Sequence, residues 1–207
     1  MKKRYISFFL FAALSLLLTA CSSDLPTPNQ PTTDNITPTT SEVLPLPQDS
    51  LELSFRSGVG AWDTVLTLNR DGTFVGQFRD ADMGDIGEGY PNGTEYTCTF
   101  SGKFVNIQKK DEYSYEMTLS NVETKKAVGE EWIEDGVRYV ADKPYGLTDS
   151  EDGQESTQFV FYLPNTPIDR LPTEFLTWWP DDLQANTTLS CYAILNVATN
   201  YGFFSAE

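Results

Sequence analysis

The sequence predicts an all-β domain, either an antiparallel β-barrel or a β-sandwich, with one short helix late in the chain. Runs of alternating apolar and polar residues follow one another at short spacing, and turn-forming residues separate them. Residues 51–207 are long enough to bury one sizeable core and match the usual size of one domain. We therefore expect a single folded β-rich domain over residues 51–207.

Three hairpins account for most of the predicted strands. Residues 62–68 and 74–78 alternate on either side of the turn sequence Asn-Arg-Asp-Gly. Residues 96–104 and 113–119 alternate in the same way around a polar Lys-Lys-Asp-Glu turn. In the third hairpin, Asp135-Gly136 favours the positive φ angles of a tight turn.

The last third of the domain adds two strands and the helix. Residues 158–163 are apolar on both predicted faces, which is typical of a strand covered on both sides. Residues 171–179 contain a proline, Pro172, near a possible first helical turn and end before Pro180, which predicts a short helix. Residues 188–197 return to strand character.

One motif near the start of the domain suggests a family. Gly60-Ala61-Trp62, followed by a strand, a turn and a second strand, resembles the Gly-x-Trp motif that opens lipocalins and related calycins. This resemblance implies a closed β-barrel that holds a small apolar ligand. No second signature of that family is present, so a β-sandwich stays open as the alternative.

The N-terminus has the features of an export signal. Residues 1–20 join a basic start to a short apolar run, as in a secretory signal peptide. Leu18-Thr19-Ala20-Cys21 resembles the lipobox of bacterial lipoproteins, which implies lipidation of Cys21 and a membrane anchor in the cell envelope. Residues 21–50 are rich in Pro, Ser and Thr and read as a disordered tether. We expect the domain to be extracytoplasmic.

Composition restricts the functions that the domain can have. Removal of residues 1–20 leaves 11 basic and 30 acidic residues, a net charge of −19, which argues against a nucleic-acid partner. The chain has no histidine, which excludes Ser-His-Asp hydrolysis, Cys-His catalysis and histidine-containing metal sites. No pair of carboxylates stands out as an acid and base, so we expect no enzymatic activity.

Two groups of side chains are candidates for ligand binding. Seven aromatic residues fall on predicted inward faces and would line a hollow barrel or fill a solid one: Trp62, Phe74, Phe78, Tyr96, Phe100, Tyr113 and Tyr115. Four carboxylates lie in a glycine-rich loop that could wrap a Ca²⁺ ion, although the order departs from an EF-hand: Asp80, Asp82, Asp85 and Glu88. The alternative for this loop is a solvated acidic turn.

Two cysteines within the domain leave a question of pairing. Cys98 and Cys191 both lie on apolar strand faces, and an exported protein can form a disulfide. They form a disulfide if their strands are neighbours, and otherwise they are two buried thiols.

These observations favour a lipid-anchored protein with a non-catalytic binding domain. Its expected ligand is a small molecule, a glycan or a protein partner. Trp178 and Trp179 point in different directions on a helix, so we expect one of them to remain exposed. Two alternatives remain: a structural or adhesive surface module that uses an exposed Trp178 or loop aromatics, and a Ca²⁺-dependent binding protein that uses the acidic loop.

Overall fold

The structure is a computed structural model and describes residues 42–58, 60–148 and 156–206. The signal peptide predicted over residues 1–20, the lipidated Cys21 and most of the predicted tether lie outside the described residues.

The described residues form a nearly all-β domain, as the alternating sequence predicts. Its elements, in chain order, are β1 (Ser50–Arg56), β2 (Trp62–Asn69), β3 (Thr73–Asp82), β4 (Thr94–Lys109), β5 (Ser114–Thr124), β6 (Glu131–Glu134), β7 (Val137–Ala141), β8 (Gln158–Tyr162), a 3₁₀ helix (Ile168–Arg170), α1 (Thr173–Leu176), β9 (Ala193–Asn196) and β10 (Gly202–Phe204).

Eight of the strands close into an antiparallel barrel, which decides between the two predicted architectures. The order around the barrel is β1 to β5 followed by β8, β9 and β10, and β10 pairs with β1 at Phe204 and Ser54. Apart from the step from β5 to β8, each strand lies beside its neighbour in sequence, which is an up-and-down arrangement. A closed barrel leaves none of its own strands with an unpaired edge.

All three predicted hairpins are confirmed. β2 and β3 pair across the Asn-Arg-Asp-Gly turn, with Leu68 opposite Phe74, and β4 and β5 pair beyond the polar turn. β6 and β7 pair around Asp135 and Gly136, whose φ angles of 51° and 76° are those of a tight hairpin turn. This third hairpin lies outside the barrel, since β6 and β7 are not among its eight strands. It is attached to the barrel by β7, which pairs in parallel with the start of β4.

Aromatic and aliphatic side chains fill the inside of the barrel. Among them, Phe104 has its ring centroid 5.0 Å from that of Phe74 and 5.1 Å from that of Phe159. All three are fully or almost fully buried. Contacts at this spacing are those of a packed core, so the barrel interior is solid where the resemblance to lipocalins implies a cavity.

A second apolar cluster covers the outer face of β8, β9 and β10. Phe175 of α1 is fully buried and packs on Phe204 at 5.0 Å and on Tyr162 at 5.8 Å. β8 is therefore apolar on both faces because it has the core on one side and this cluster on the other. The helix is confirmed but shorter than residues 171–179, and the predicted strand over residues 188–197 is regular only at its end, in β9.

The folded domain begins before residue 51, where sequence analysis places the end of the tether. Leu44 and Leu46 are 0% and 3% exposed and belong to the barrel core. The backbone N–H of Leu44 donates to the carbonyl of Arg70, in the β2–β3 turn. These leucines close one end of the barrel, which we call the leucine end.

Candidate functional site

The opposite end of the barrel carries a cluster of seven aromatic rings, and we call it the aromatic end. Phe55, near the end of β1, is its centre and lies 4.8 Å from Trp62, 4.9 Å from Trp178 and 4.9 Å from Tyr201 between ring centroids. The full set is Phe55, Trp62, Phe78, Tyr145, Trp178, Tyr201 and Phe203. Four of these seven, both tryptophans and both tyrosines, are only partly buried.

The segment that follows β7 closes the aromatic end and is held there by buried polar groups. Thr64 Oγ1 donates to the carbonyl of Tyr145 at 2.8 Å, and Asn196 Nδ2 donates to the carbonyl of Gly146 at 2.9 Å. Thr64 and Asn196 are both fully buried. Gly146 is required here, since its φ is +89° and a Cβ atom would lie 2.5 Å from the ring of Phe55.

A cavity of about 620 Å³ lies on the outer barrel wall, but the cavity at the aromatic end has the better chemistry for a ligand. It measures about 360 Å³ and is lined by Trp62, Phe78 and Tyr145 together with three charged side chains. The charged residues are Asp80, Asp142 and Lys143. Aromatic walls with a few polar groups are the usual composition of a small-molecule site.

Strand pairing and a chain turn explain how these residues meet. Trp62 starts β2 and pairs directly with Asp80 near the end of β3, so the indole and the carboxylate lie side by side. Asp142 follows β7, and its backbone N–H donates to the carbonyl of Thr97 in β4. Tyr145 then turns back over the barrel, with its ring 5.0 Å from Trp62 and perpendicular to it.

A buried thiol lies behind the cavity. Burial and the nearby carboxylate of Asp142 raise the pKa of Cys98 to about 11. Because the thiolate is the reactive form of cysteine, this thiol is a poor nucleophile at neutral pH. Cys98 belongs to the barrel core and Cys191 to the outer cluster, and the structure does not join them by a disulfide.

Six of the seven aromatic residues predicted to face inward contribute to the core. Phe74, Phe78, Phe100 and Tyr115 are buried, and the remaining two pack against the same cluster: Trp62 and Tyr96. Tyr113 was placed wrongly. It lies in the turn before β5, where the guanidinium carbon of Arg170 is 5.5 Å from its ring.

The acidic loop is not assembled as a cation site. Asp82 Oδ1 accepts hydrogen bonds from the backbone N–H groups of Gly84 and Asp85, and Asp85 pairs with Arg138 at 3.3 Å. Among the described residues, no three acidic or cysteine side chains are grouped to hold a metal ion. Asp82 thus stabilises the turn, Asp85 forms an ion pair and Asp80 belongs to the aromatic end, and the Ca²⁺ site at Asp80, Asp82, Asp85 and Glu88 stays a prediction.

Sequence analysis did not identify Tyr145, Asp142 or Lys143 as site residues. They lie in an irregular segment with no alternation, and only the closed barrel brings that segment to Trp62 and Asp80. Trp178 and Trp179 differ in exposure, as expected. Trp178 stays partly exposed at the aromatic end, whereas Trp179 is buried in the outer cluster.

No protein-family model, no curated protein and no solved structure matches the chain. In the described part of the chain, no helix is both long enough and apolar enough to cross a membrane.

Proposed function

We propose that this protein is a lipid-anchored, extracytoplasmic binding protein of the bacterial cell envelope, and that its ligand is a sugar held at the aromatic end. The observation that carries the proposal is the 360 Å³ cavity with aromatic walls and two carboxylates at its rim. The barrel shape and strand order also favour a lipocalin-like fold, although the ligand position we propose differs from the barrel centre.

The packed barrel favours a ligand at the end of the barrel over one inside it. A ligand at the centre would have to displace fully buried rings such as Phe104 and Phe159, whose contacts stabilise the core. The cavity at the aromatic end needs no such displacement. Its volume lies near the lower limit of the roughly 300–1,000 Å³ usual for small-molecule sites, which fits one sugar ring or the end of a chain.

The side chains of the cavity match the two faces of a sugar. A pyranose ring has an apolar C–H face that can lie against Trp62 or Tyr145, and its edge carries hydroxyl groups. The carboxylates of Asp80 and Asp142 accept hydrogen bonds from hydroxyls, and the ammonium group of Lys143 donates them. Tyrosine and tryptophan suit such a site because each joins a large apolar surface to a polar group.

The proposed function is binding without catalysis. The chain has no histidine, and the pKa of the Cys98 thiol is too high for nucleophilic attack at neutral pH. The proposed anchor is Cys21, in the lipobox-like sequence Leu-Thr-Ala-Cys. Labelled palmitate should enter the wild-type protein in bacteria and not the Cys21→Ala variant, and equal labelling of the two would contradict the anchor.

A sugar titration with paired tryptophan variants tests the ligand. The full-length protein is titrated with glucose, galactose, N-acetylglucosamine and their disaccharides, and binding is measured by calorimetry. At least one sugar should bind, and Trp62→Leu should weaken it about tenfold or more, equal to about 1.4 kcal/mol. Trp132→Leu is the matched control, because Trp132 stacks on Tyr139 in the outer hairpin and does not line the cavity. No binding of any sugar, or equal binding by Trp62→Leu, would contradict the proposal.

A further inference from the structure

The β6–β7 hairpin gives the molecule an open strand edge that the closed barrel does not have. β7 pairs with β4 on one side and with β6 on the other, whereas β6 is the last strand of the sheet among the described residues. An open edge presents backbone N–H and C=O groups that can pair with a further strand.

The turn of the hairpin determines which groups of β6 face outward. Glu134 pairs with Val137 across a two-residue turn, so these two residues exchange the first hydrogen bonds of the hairpin. Hydrogen-bonded pairs alternate along an antiparallel pair, which makes Trp132 the next residue bonded to β7. The backbone groups of Glu131 and Ile133 therefore face the open side.

Apolar side chains lie beside this edge. Ile133 of β6 is 53% exposed. A cavity of about 640 Å³ next to the strand is lined by Tyr90, Glu131, Trp132, Ile133 and Arg138. An added strand could thus insert an apolar side chain here while its backbone pairs with β6.

The acidic side chains of the β6–β7 hairpin determine which kind of strand can pair with the open edge of β6. Glu131 is paired with Arg138 at 3.2 Å, but Glu134 and Asp135 have no ion pair among the described residues. If β6 paired with β6 of a second copy so that the two Trp132 residues lay opposite each other, Glu130, just before β6, would lie opposite Glu134 of the other copy. Like charges in directly opposite positions are destabilising, so the edge disfavours its own copy and favours a basic strand.

We propose that the open edge of β6 binds an extended segment of a partner protein in which apolar residues alternate with Lys or Arg. Its backbone pairs with Glu131 and Ile133, and its basic side chains lie near Glu134 and Asp135. This interaction is independent of the sugar site, because the hairpin contributes no residue to the cavity at the aromatic end.

A labelled peptide of alternating valine and lysine tests the edge against the full-length protein by fluorescence anisotropy. The wild type should bind it, and bind a valine–glutamate peptide at least about tenfold more weakly. Ile133→Pro should reduce binding at least about tenfold, since it removes an outward N–H that the hairpin does not use. Ile133→Ala keeps that N–H and should reduce peptide binding less.

Two charge variants keep the test valid if the proline variant unfolds. Glu134→Lys should weaken binding of the lysine peptide several-fold, whereas Glu52→Lys makes the same change in net charge at an exposed position of β1 and should leave binding unchanged. Equal effects of the two would contradict the proposal, as would no peptide binding to the wild type. Dimerisation of the wild type that Ile133→Pro abolishes would overturn it in favour of a second copy.

Discussion

The two ends of the barrel are closed in different ways. At the leucine end, Leu44 and Leu46 bury aliphatic side chains and the chain runs on into β1. At the aromatic end, the closing segment contributes the partly exposed Tyr145, and buried polar side chains hold its backbone. The aliphatic closure offers a ligand little to recognise, whereas the aromatic closure leaves rings, carboxylates and a lysine at the surface. The leucine end is therefore closed like a core, and the aromatic end is where we propose that a ligand binds.

The largest loss of stability is expected from the centre of the aromatic end. Phe55→Ala removes a ring that is 1% exposed and contacts Trp62, Trp178 and Tyr201. A Phe→Ala change at a buried site costs about 3–5 kcal/mol of the free energy of unfolding. Urea denaturation measures it, with Val75→Ala on the exposed face of β3 as a control expected within about 0.5 kcal/mol. A loss below about 1 kcal/mol would mean that the cluster does not pack as described.

A substitution at the leucine end should lower the free energy of unfolding almost as much. Such a loss would show that residues before 51 belong to the folded domain. Leu44→Ala is expected to lower the free energy of unfolding by about 2–5 kcal/mol. The neighbouring Val43 is 65% exposed, so Val43→Ala should change it little. If both variants unfold at the same urea concentration as the wild type, the segment is a tether up to residue 50 after all.

Loss of the polar side chain that holds the closing segment should lower the free energy of unfolding less than either apolar substitution. Asn196→Ala removes the donor to the carbonyl of Gly146, and also the amide oxygen that accepts hydrogen bonds from Ser156 Oγ and the backbone N–H of Ala198. The expected cost is about 1–3 kcal/mol. Asn186→Ala removes a bond of the same type, from Nδ2 to the carbonyl of Asp182, at an exposed position and serves as the control. Equal costs for the two variants would show that the buried bond has no special role.

The smallest effect on stability at neutral pH is expected from ionisation of the Cys98 thiol. Its pKa is raised from 9.0 to about 11 in the folded protein, so the unfolded chain loses the thiol proton first as pH rises. The stability that the protonated thiol contributes is intact below pH 9 and falls as pH rises towards 11, by at most about 3 kcal/mol. Cys98→Ala should flatten this part of the pH profile measured by thermal unfolding. An unchanged profile would contradict the assigned pKa.

The fold followed from local patterns, and the site did not. The hairpins could be predicted because alternation and turn residues such as Asp135-Gly136 act over a few positions. Leu44 was missed because the prolines around it resemble those of a tether. Tyr145 and Asp142 were missed because their contacts with Trp62 and Cys98 depend on closure of the barrel, which no local period records.

The most direct test of a binding aromatic end uses the four tryptophans as reporters. Two of them, Trp62 and Trp178, lie at the aromatic end, Trp132 lies in the outer hairpin and Trp179 in the outer cluster. The full-length protein labelled with 5-fluorotryptophan is titrated with the sugar that binds best, and ¹⁹F NMR follows all four signals. The account predicts that Trp62 shifts most and that Trp132 stays in place. A shift confined to Trp132, or no shift with any sugar, would contradict it.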